Sequence, residues 1–367
     1  ANAAITVKRG NNTLLVSGKT LYDYTTVANL YQACAALAPS VATAPGRAFI
    51  VTAFATNRCA SLKAKGLLSS STTSDQAEEA LLALRAYGWE PEGAVLHTSL
   101  AAFEVASAVA VTYANSLSRA SVKDNLCGYS YASTTAAGVI NTLPAASLVQ
   151  MFATGTGVPP SSGIQLINNL SPGGAVRDVF SASPSSMVQD YNLDGAICLR
   201  QLLTGSESVA KKLQAGLDET RRTGNLRGKP AIIVHGRDDA LLPVNHTSRP
   251  YYGLNKMTEG AASKLSYIEV TNAQHFDTFI GLPTLLGGYD SRYIPLHVYL
   301  FRALDAVYAN LKDGTALPPS QVVRTVPRGG VAGAAPAITA ANVPPIAATA
   351  TAANSIAYSN GTVTIPE

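Results

Sequence analysis

Two short β-rich runs, Ala231-Ile-Ile-Val234 and Lys264-Leu-Ser-Tyr-Ile-Glu-Val270, constrain this 367-residue chain more than any other feature. The first ends in His235-Gly236, so it reads as a buried parallel strand that breaks at a glycine turn. Between the runs, His246 to Met257 offers a helical spacer, and a crossover of that kind is what two parallel neighbours in one sheet require. Open α/β sheets carry their functional side chains in the loops at the carboxyl ends of the strands. Asp238 and Asp239 fall in the first such loop, and His275 falls in the second.

A carboxylate and an imidazole at one sheet edge are the acid and general base that nucleophilic ester chemistry needs. An imidazole near its ordinary pKa of about 6.5 takes a proton from a hydroxyl and returns it to a leaving alcohol. The carboxylate holds the imidazole in the right tautomer and stabilises its charged form. The chain order Ser, Asp, His then asks for a Gly-x-Ser-x-Gly elbow upstream of Asp239, and the sequence contains none. The nearest imitation is Gly128-Tyr129-Ser130-Tyr131-Ala132. An elbow needs a buried strand before it, whereas Ser116 to Asn125 is polar and shows no strand pattern, so Ser130 reads as structural.

Longer stretches carry a resemblance. They are Leu21-Tyr-Asp-Tyr24, Asp124-Asn-Leu-Cys-Gly-Tyr-Ser130, Gly163 to Gly174, Gly195-Ala-Ile-Cys-Leu-Arg200, Gly228-Lys-Pro230, Glu259 to His275 and Leu317-Pro-Pro-Ser-Gln-Val-Val-Arg324. From residue 1 to about Gly330 the chain resembles the D-(-)-3-hydroxybutyrate oligomer hydrolases. The resemblance implies an α/β protein with an α/β-hydrolase fold, represented here by the last sheet strands and a large, mainly helical lid. An amino-terminal segment of the same precursor, carrying the nucleophilic serine and the oxyanion hole, would complete it. The implied activity is a serine esterase, secreted or periplasmic, that cleaves short D-3-hydroxybutyrate oligomers to monomers. Carried over residue by residue, the family pattern assigns Asp239 as the charge-relay acid and His275 as the base. The His-Gly-x-x-Asp spacing selects Asp239, with Asp238 as runner-up. Without an elbow this chain alone is incomplete. Two other readings stand beside this one: a feruloyl-esterase or tannase-like ester hydrolase, and a binding subunit that kept a degenerate hydrolase half.

Four regions separate by texture. Residues 1–25 read as a hairpin, Ala4 to Lys8 and Thr13 to Ser17 around Gly10-Asn11-Asn12, leading out of the hydrolase sheet. Residues 26–225 are helical patterns and Ser/Thr/Gly/Pro loops, taken as the lid or cap; Asp75 to Tyr87 is one helix, with Thr73 and Gln76 at capping-box spacing. Residues 226–330 return to the sheet and close on a helix from Leu296 to Lys312, with Leu300, Leu304, Val307 and Leu311 on one stripe. Residues 331–367, rich in Ala, Pro and Thr, look like a linker by composition and are expected to lie pinned across a surface.

Hydrophobic residues make up 47% and charged residues 14%, enough to bury a core. A net charge of +4 with no basic stripe argues against nucleic acid. No apolar run approaches the roughly 20 residues of a membrane span; the longest, Ala101 to Ala114, contains Glu104. Ala-Asn-Ala-Ala at the start lacks a signal-peptide pattern. Cys34, Cys59, Cys127 and Cys198 show no Cys-x-x-Cys spacing, which suits disulfides of an oxidising compartment better than a metal site. Of three possible pairings, Cys34–Cys59 with Cys127–Cys198 is favoured because the first closes a short local loop; buried free thiols are the alternative. Asp190-x-Asn192-x-Asp194-Gly195 opens like a calcium loop, but its twelfth position is Gln201, and Asx-rich turns produce the same letters. Neither a cofactor nor a metal is expected, since Ser171-Pro-Gly-Gly174 also lacks the ending of a phosphate loop. His235 reads as structural, His97 and His246 have no supporting pattern, and His297 is expected to pack. Tyr129, Tyr131, Tyr251, Tyr252 and Tyr289 are candidates to line an ester site, though most tyrosines are half-buried packing residues.

Overall fold

A computed structural model describes residues 4–147 and 163–367, in two compact units. One comprises Ala1–Lys19, Gly88–Ala94 and Arg222–Glu367, and the other Thr20–Tyr87 and Val95–Arg221. Positions 1–3 and 148–162, parts of the expected hairpin and lid, lie outside the described residues. The chain is thus α/β in class, with three separate sheets among the described residues.

The Thr20–Tyr87 and Val95–Arg221 unit is built on α1 (Leu21–Ala35), capped by Thr20, whose hydroxyl accepts from the Asp23 amide. Nearly every residue of α1 is buried, as expected of a helix enclosed by neighbours. Those neighbours include α2 (Thr52–Ala64), α3 (Thr73–Tyr87), α4 (Leu96–Ala102) and α5 (Val105–Ser118). The cap of α3 differs from the expected one. Thr72 accepts from the Asp75 amide and donates to its carboxylate, while the Gln76 side chain reaches Ser70 O instead of closing a box with Thr73. A second layer is the antiparallel sheet β4-β3-β5-β6, from β3 (Tyr129–Thr134), β4 (Ile140–Asn141), β5 (Ile164–Asn168) and β6 (Val176–Arg177), followed by α6 (Leu193–Gln201) and α7 (Ser208–Glu219). Both favoured disulfides are present, Cys34–Cys59 with Cα atoms 5.0 Å apart and Cys127–Cys198 at 5.6 Å. The calcium-like letters are spent on local turns. Asp190 accepts from Ser183 and Leu193, Asn192 caps α6 through Gly195 N, and Asp194 holds Ser185 and Lys65.

In the other unit, β7 (Ala231–Gly236), β8 (Leu265–Val270) and β9 (Gln321–Val323) form a parallel sheet in that order, with Ala231 opposite Leu265 and Val270 opposite Val323. The crossover from β7 to β8 is α8 (Ser248–Glu259), two residues later than the spacer suggested. One sheet face, with Tyr267 and Val322, packs on Tyr252 of α8 and on Ile5, Val363 and Ile365. The other, with Ile268, Val270 and Val323, packs on Ile294 and on Tyr299 of a long closing helix, which follows the single turn α9 (Tyr289–Arg292). That closing helix is α10 (His297–Asp313), ended by Gly314 at φ 73°.

The amino-terminal hairpin, β1 (Thr6–Arg9) and β2 (Asn12–Val16), belongs to a sheet separate from β7–β8–β9. It joins the tail, whose strands β10 (Ala357–Ser359) and β11 (Thr362–Ile365) complete the sheet β10-β11-β1-β2, with β1 parallel to β11. Composition suggested a linker, but the alternation Thr362-Val363-Thr364-Ile365 is a strand pattern that buries Val363 and Ile365. The residue range assigned to the lid also contains Gly88–Ala94, which the structure gives to the sheet-bearing unit: Trp89 Nε1 donates to Ala240 O at 2.8 Å, and Glu90 pairs with Arg249 and Arg9. Among the described residues no single helix is long and apolar enough to cross a membrane.

Candidate active site

The site grows from the ends of β7 and β8. Gly236 closes β7 where the loop after β8 crosses over it. A Cβ there would stand 2.3 Å from Ala273 O, so only glycine lets the two segments approach. Backbone bonds then stitch the loops together, Arg237 N to Val270 O at 2.8 Å and Asp238 N to Ala273 O at 3.0 Å. Asp239 is carried to one side of this junction and His275 to the other.

His275 Nδ1 lies 2.9 Å from Asp239 Oδ2. The carboxylate is held on both oxygens: Oδ1 accepts from the amides of Leu241 and Leu242 at 2.9 and 2.8 Å, and Oδ2 also meets His235 Nε2 at 3.2 Å. Burial alone would raise the Asp239 pKa, but the hydrogen bonds and charges of His235 and His275 hold it well below the usual carboxylate range. Burial works the opposite way on His275, and the bond and charge of Asp239 outweigh it, leaving the imidazole above its ordinary value. The His275 ring is one-third exposed, and its Nε2 has no hydrogen-bond partner among the described residues. Its loop is braced by Gln274, whose side chain exchanges two bonds with the backbone of Phe276, at 2.8 and 2.7 Å. Such an arrangement can orient a neutral imidazole, take a proton at Nε2 and stabilise the cation that results.

Behind Asp239 runs a buried polar network. His235 Nδ1 is 2.7 Å from Ser248 Oγ, which donates to Tyr267 Oη at 3.0 Å, and Tyr267 donates to Glu269 at 2.7 Å. Arg249 grips Glu269 with two bonds at 2.8 and 2.7 Å, and Arg237 adds a third at 2.6 Å. Burial opposes ionisation of Glu269, yet the two guanidinium groups keep its pKa far below the ordinary range. Asp238 points elsewhere. Burial and then the Glu92 carboxylate push its pKa up to about 8, it makes no bond to His275, and its Oδ1 has no partner among the described residues.

Comparison with known proteins adds the lineage. The profile described as 3HB-oligomer hydrolase (3HBOH) matches residues 1–367. The chain belongs to the 3HB-oligomer hydrolase family. It is 64% identical over 374 residues to the D-(-)-3-hydroxybutyrate oligomer hydrolase of Paracidovorax citrulli, covering 100% of this chain and 53% of that protein. Proteins of the same name from Ralstonia pickettii and Cupriavidus necator are 57% and 56% identical, covering 98% and 100% of this chain and 49% and 51% of theirs. This family member therefore spans about half the length of the curated relatives it matches. No solved structure matches it.

Among the other candidates of this 3HB-oligomer hydrolase family member, Ser130 lies inside antiparallel β3, where its hydroxyl accepts from Asn169 at 2.8 Å; the local structure is not an elbow. His97 is buried against Gln32, and His246 accepts from Lys19 N. His297 was expected to pack but stands half exposed, its Nδ1 2.8 Å from Asp277, which also caps the start of α10 through the amides of residues 296 and 297. Tyr129, Tyr252 and Tyr289 are packed in cores, while Tyr131 and Tyr251 are half-buried. Sequence reasoning missed the contact of His235 with Asp239 and the brace at Gln274. Their signals were present, since His235 stands four residues before Asp239 and Gln274 immediately precedes His275, but neither position says which way a side chain turns.

Proposed function

We propose that this chain supplies the acid and base of an α/β-hydrolase-type serine esterase that cleaves short D-3-hydroxybutyrate oligomers to monomers. The observation that carries the reading is the Asp239–His275 pair at 2.9 Å, at the carboxyl ends of adjacent parallel strands, with Nε2 left open. A further segment of the same precursor, preceding these residues in the Ser, Asp, His order, would bring the nucleophilic serine and the oxyanion hole. His275 Nε2 takes the hydroxyl proton as the serine oxygen attacks the ester carbonyl. The same proton then passes to the departing 3-hydroxyl oxygen, leaving an acyl-enzyme. Water, deprotonated by His275, attacks that ester and releases the acid and the serine. Asp239 keeps Nδ1 protonated throughout and stays ionised. The names of the relatives and the family membership support the substrate class, and two disulfides suit a secreted or periplasmic setting. The helical unit, inserted in the chain between stretches of the sheet-bearing unit, would serve as the lid.

The test joins these 367 residues, in place of the matching segment, to the rest of the P. citrulli relative. A serine-directed phosphonate should label that chimera on a serine outside the 367 residues, and His275→Ala should abolish labelling and hydroxybutyrate-dimer hydrolysis together. Labelling within the 367 residues, or hydrolysis that survives His275→Ala, would overturn the proposal. Faster turnover of aromatic esters than of hydroxybutyrate dimers would favour the feruloyl-esterase class instead.

A further inference from the structure

Helix α10 buries little of its own apolar surface. Tyr299 and Ala303 face the sheet, but Leu300, Phe301, Leu304, Tyr308 and Leu311 are 49, 59, 56, 65 and 68% exposed. They recur at three- and four-residue intervals, so they form one stripe, whose far end meets a charge only where Lys312 Nζ lies 5.8 Å over the Tyr308 ring. Three of the four residues placed on one stripe by the sequence, Leu300, Leu304 and Leu311, are thus turned outward. Exposed apolar residues scattered singly need no explanation, whereas five on one helix face mark a surface made to be covered.

The sheet beside that helix is open on the same side. α10 packs against β7, which is the outer strand of β7-β8-β9. The far edge of β9 is occupied by the tail, through Val322 N to Asn354 O at 2.8 Å and Ile356 N to Ser320 O at 3.0 Å. The far edge of β7 bears no strand among the described residues. Burial follows the same gradient: all six residues of β8 are buried, but five of six in β7, Ala231 to His235, are only half-buried despite being mostly aliphatic. Parallel sheets are ordinarily covered on both faces, and a half-exposed Ile-Ile-Val edge is a template for another strand. The surface is also continuous with the site. His275 touches Phe276 at 4.7 Å between ring centres, Asp277 pairs with His297, and the His297 ring meets Phe301 at 5.9 Å, the first turn of the stripe.

We infer that the β7 edge and the apolar stripe of α10 are one docking surface, and that its occupant is the remaining part of the same precursor, which adds strands at β7 and lays an apolar face on α10. The relatives this chain matches are about twice as long, which supplies the occupant, and the surface ends beside His275, where an incoming serine is needed. The inference rests on the split site proposed above and gives its second segment a place to bind.

All four native cysteines are paired, so a single introduced thiol reports its own surroundings. Leu304→Cys and, as a control on α3, the 56% exposed Leu82→Cys are made both in the 367-residue chain and in the P. citrulli chimera. Maleimide should label both thiols quickly in the chain alone. In the chimera, Leu304→Cys should react at least about tenfold more slowly, as local burial demands, with Leu82→Cys unchanged. Equal rates for Leu304→Cys in the two proteins would overturn the inference. So would slow, concentration-dependent labelling in the chain alone, because that assigns the face to a second copy. Dimer hydrolysis by the unsubstituted chimera is read separately: protection without hydrolysis keeps the docking surface and removes the catalytic reading, and hydrolysis without protection does the reverse.

Discussion

Replacing Asp239 by Asn changes one atom in the site and reverses the direction of two hydrogen bonds. Oδ1 is committed to the amides of Leu241 and Leu242, which can only donate, so the asparagine oxygen must stay there. The new amide nitrogen therefore takes the place of Oδ2, 2.9 Å from His275 Nδ1 and 3.2 Å from His235 Nε2, and it offers one proton to each. His275 must then accept at Nδ1 and carry its proton on Nε2, where it can no longer receive one from a serine. The imidazolium also loses its counter-charge, so its pKa falls from its raised position. Amidation of the equivalent acid in other triads costs about 10⁴-fold in kcat, which corresponds to about 5 kcal/mol of transition-state stabilisation. Binding of the oligomer should change little, leaving KM near its original value. Nitrogen-15 spectra of the 367-residue chain read the tautomer directly, and the P. citrulli chimera reads the rate on hydroxybutyrate dimers. In the unsubstituted protein the raised His275 pKa means activity should climb as pH rises through that value, above about 6.5, where the base becomes neutral. An Asp239→Asn variant that keeps a proton on Nδ1, or that loses less than about tenfold in kcat, would refute the reasoning.

Glu269→Gln should cost about 3–5 kcal/mol in urea unfolding at neutral pH, because it leaves Arg237 and Arg249 buried with one partner fewer. Since the folded pKa of Glu269 is depressed, its contribution is present above the unfolded value near 4.3 and disappears as pH falls toward the folded one, so the variant should show a flatter acid limb. Asp238 has the opposite sign: with its folded pKa raised to about 8, stability is highest below about 4 and is lost as pH rises toward 8, a slope that Asp238→Asn should remove from a series of thermal melts. Replacing Cys127 and Cys198 together by serine reopens a loop of sequence separation 71 and should lower unfolding free energy by about 4 kcal/mol, measured against the oxidised protein. Gly236→Ala should lower Tm and hydrolysis together, since its methyl group would meet Ala273 O and push the two site loops apart.

What could be read in advance was local. Ala231–Val234 and Lys264–Val270 announce strands because β-branched and alternating residues suit nothing else at that length, and they were placed to within two residues. Asp239 and His275 could be named as candidates because they fall in the loops at the ends of those strands, and the structure brings the two side chains together. The tail was not legible, because a three-residue and a four-residue strand are hard to read within an Ala/Pro/Thr-rich segment, and β11 joins a larger sheet only through β1, more than 300 residues away. What covers the α10 stripe was not legible for a related reason: periodicity states that a helix has an apolar face and says nothing of what covers it.

The amino-acid sequence by itself determined a candidate acid and base without a nucleophilic elbow, and the parallel pair of strands that would carry them. Only tertiary structure decided that His275 meets Asp239 and not Asp238, that His235 shares the same carboxylate oxygen, and that, among the described residues, one sheet edge and one helix face stand open beside them. The division has a physical cause. Residue types and periodicity are properties of single segments, while the choice between adjacent carboxylates depends on a turn set by Gly236 and by backbone bonds between two segments separated by a crossover.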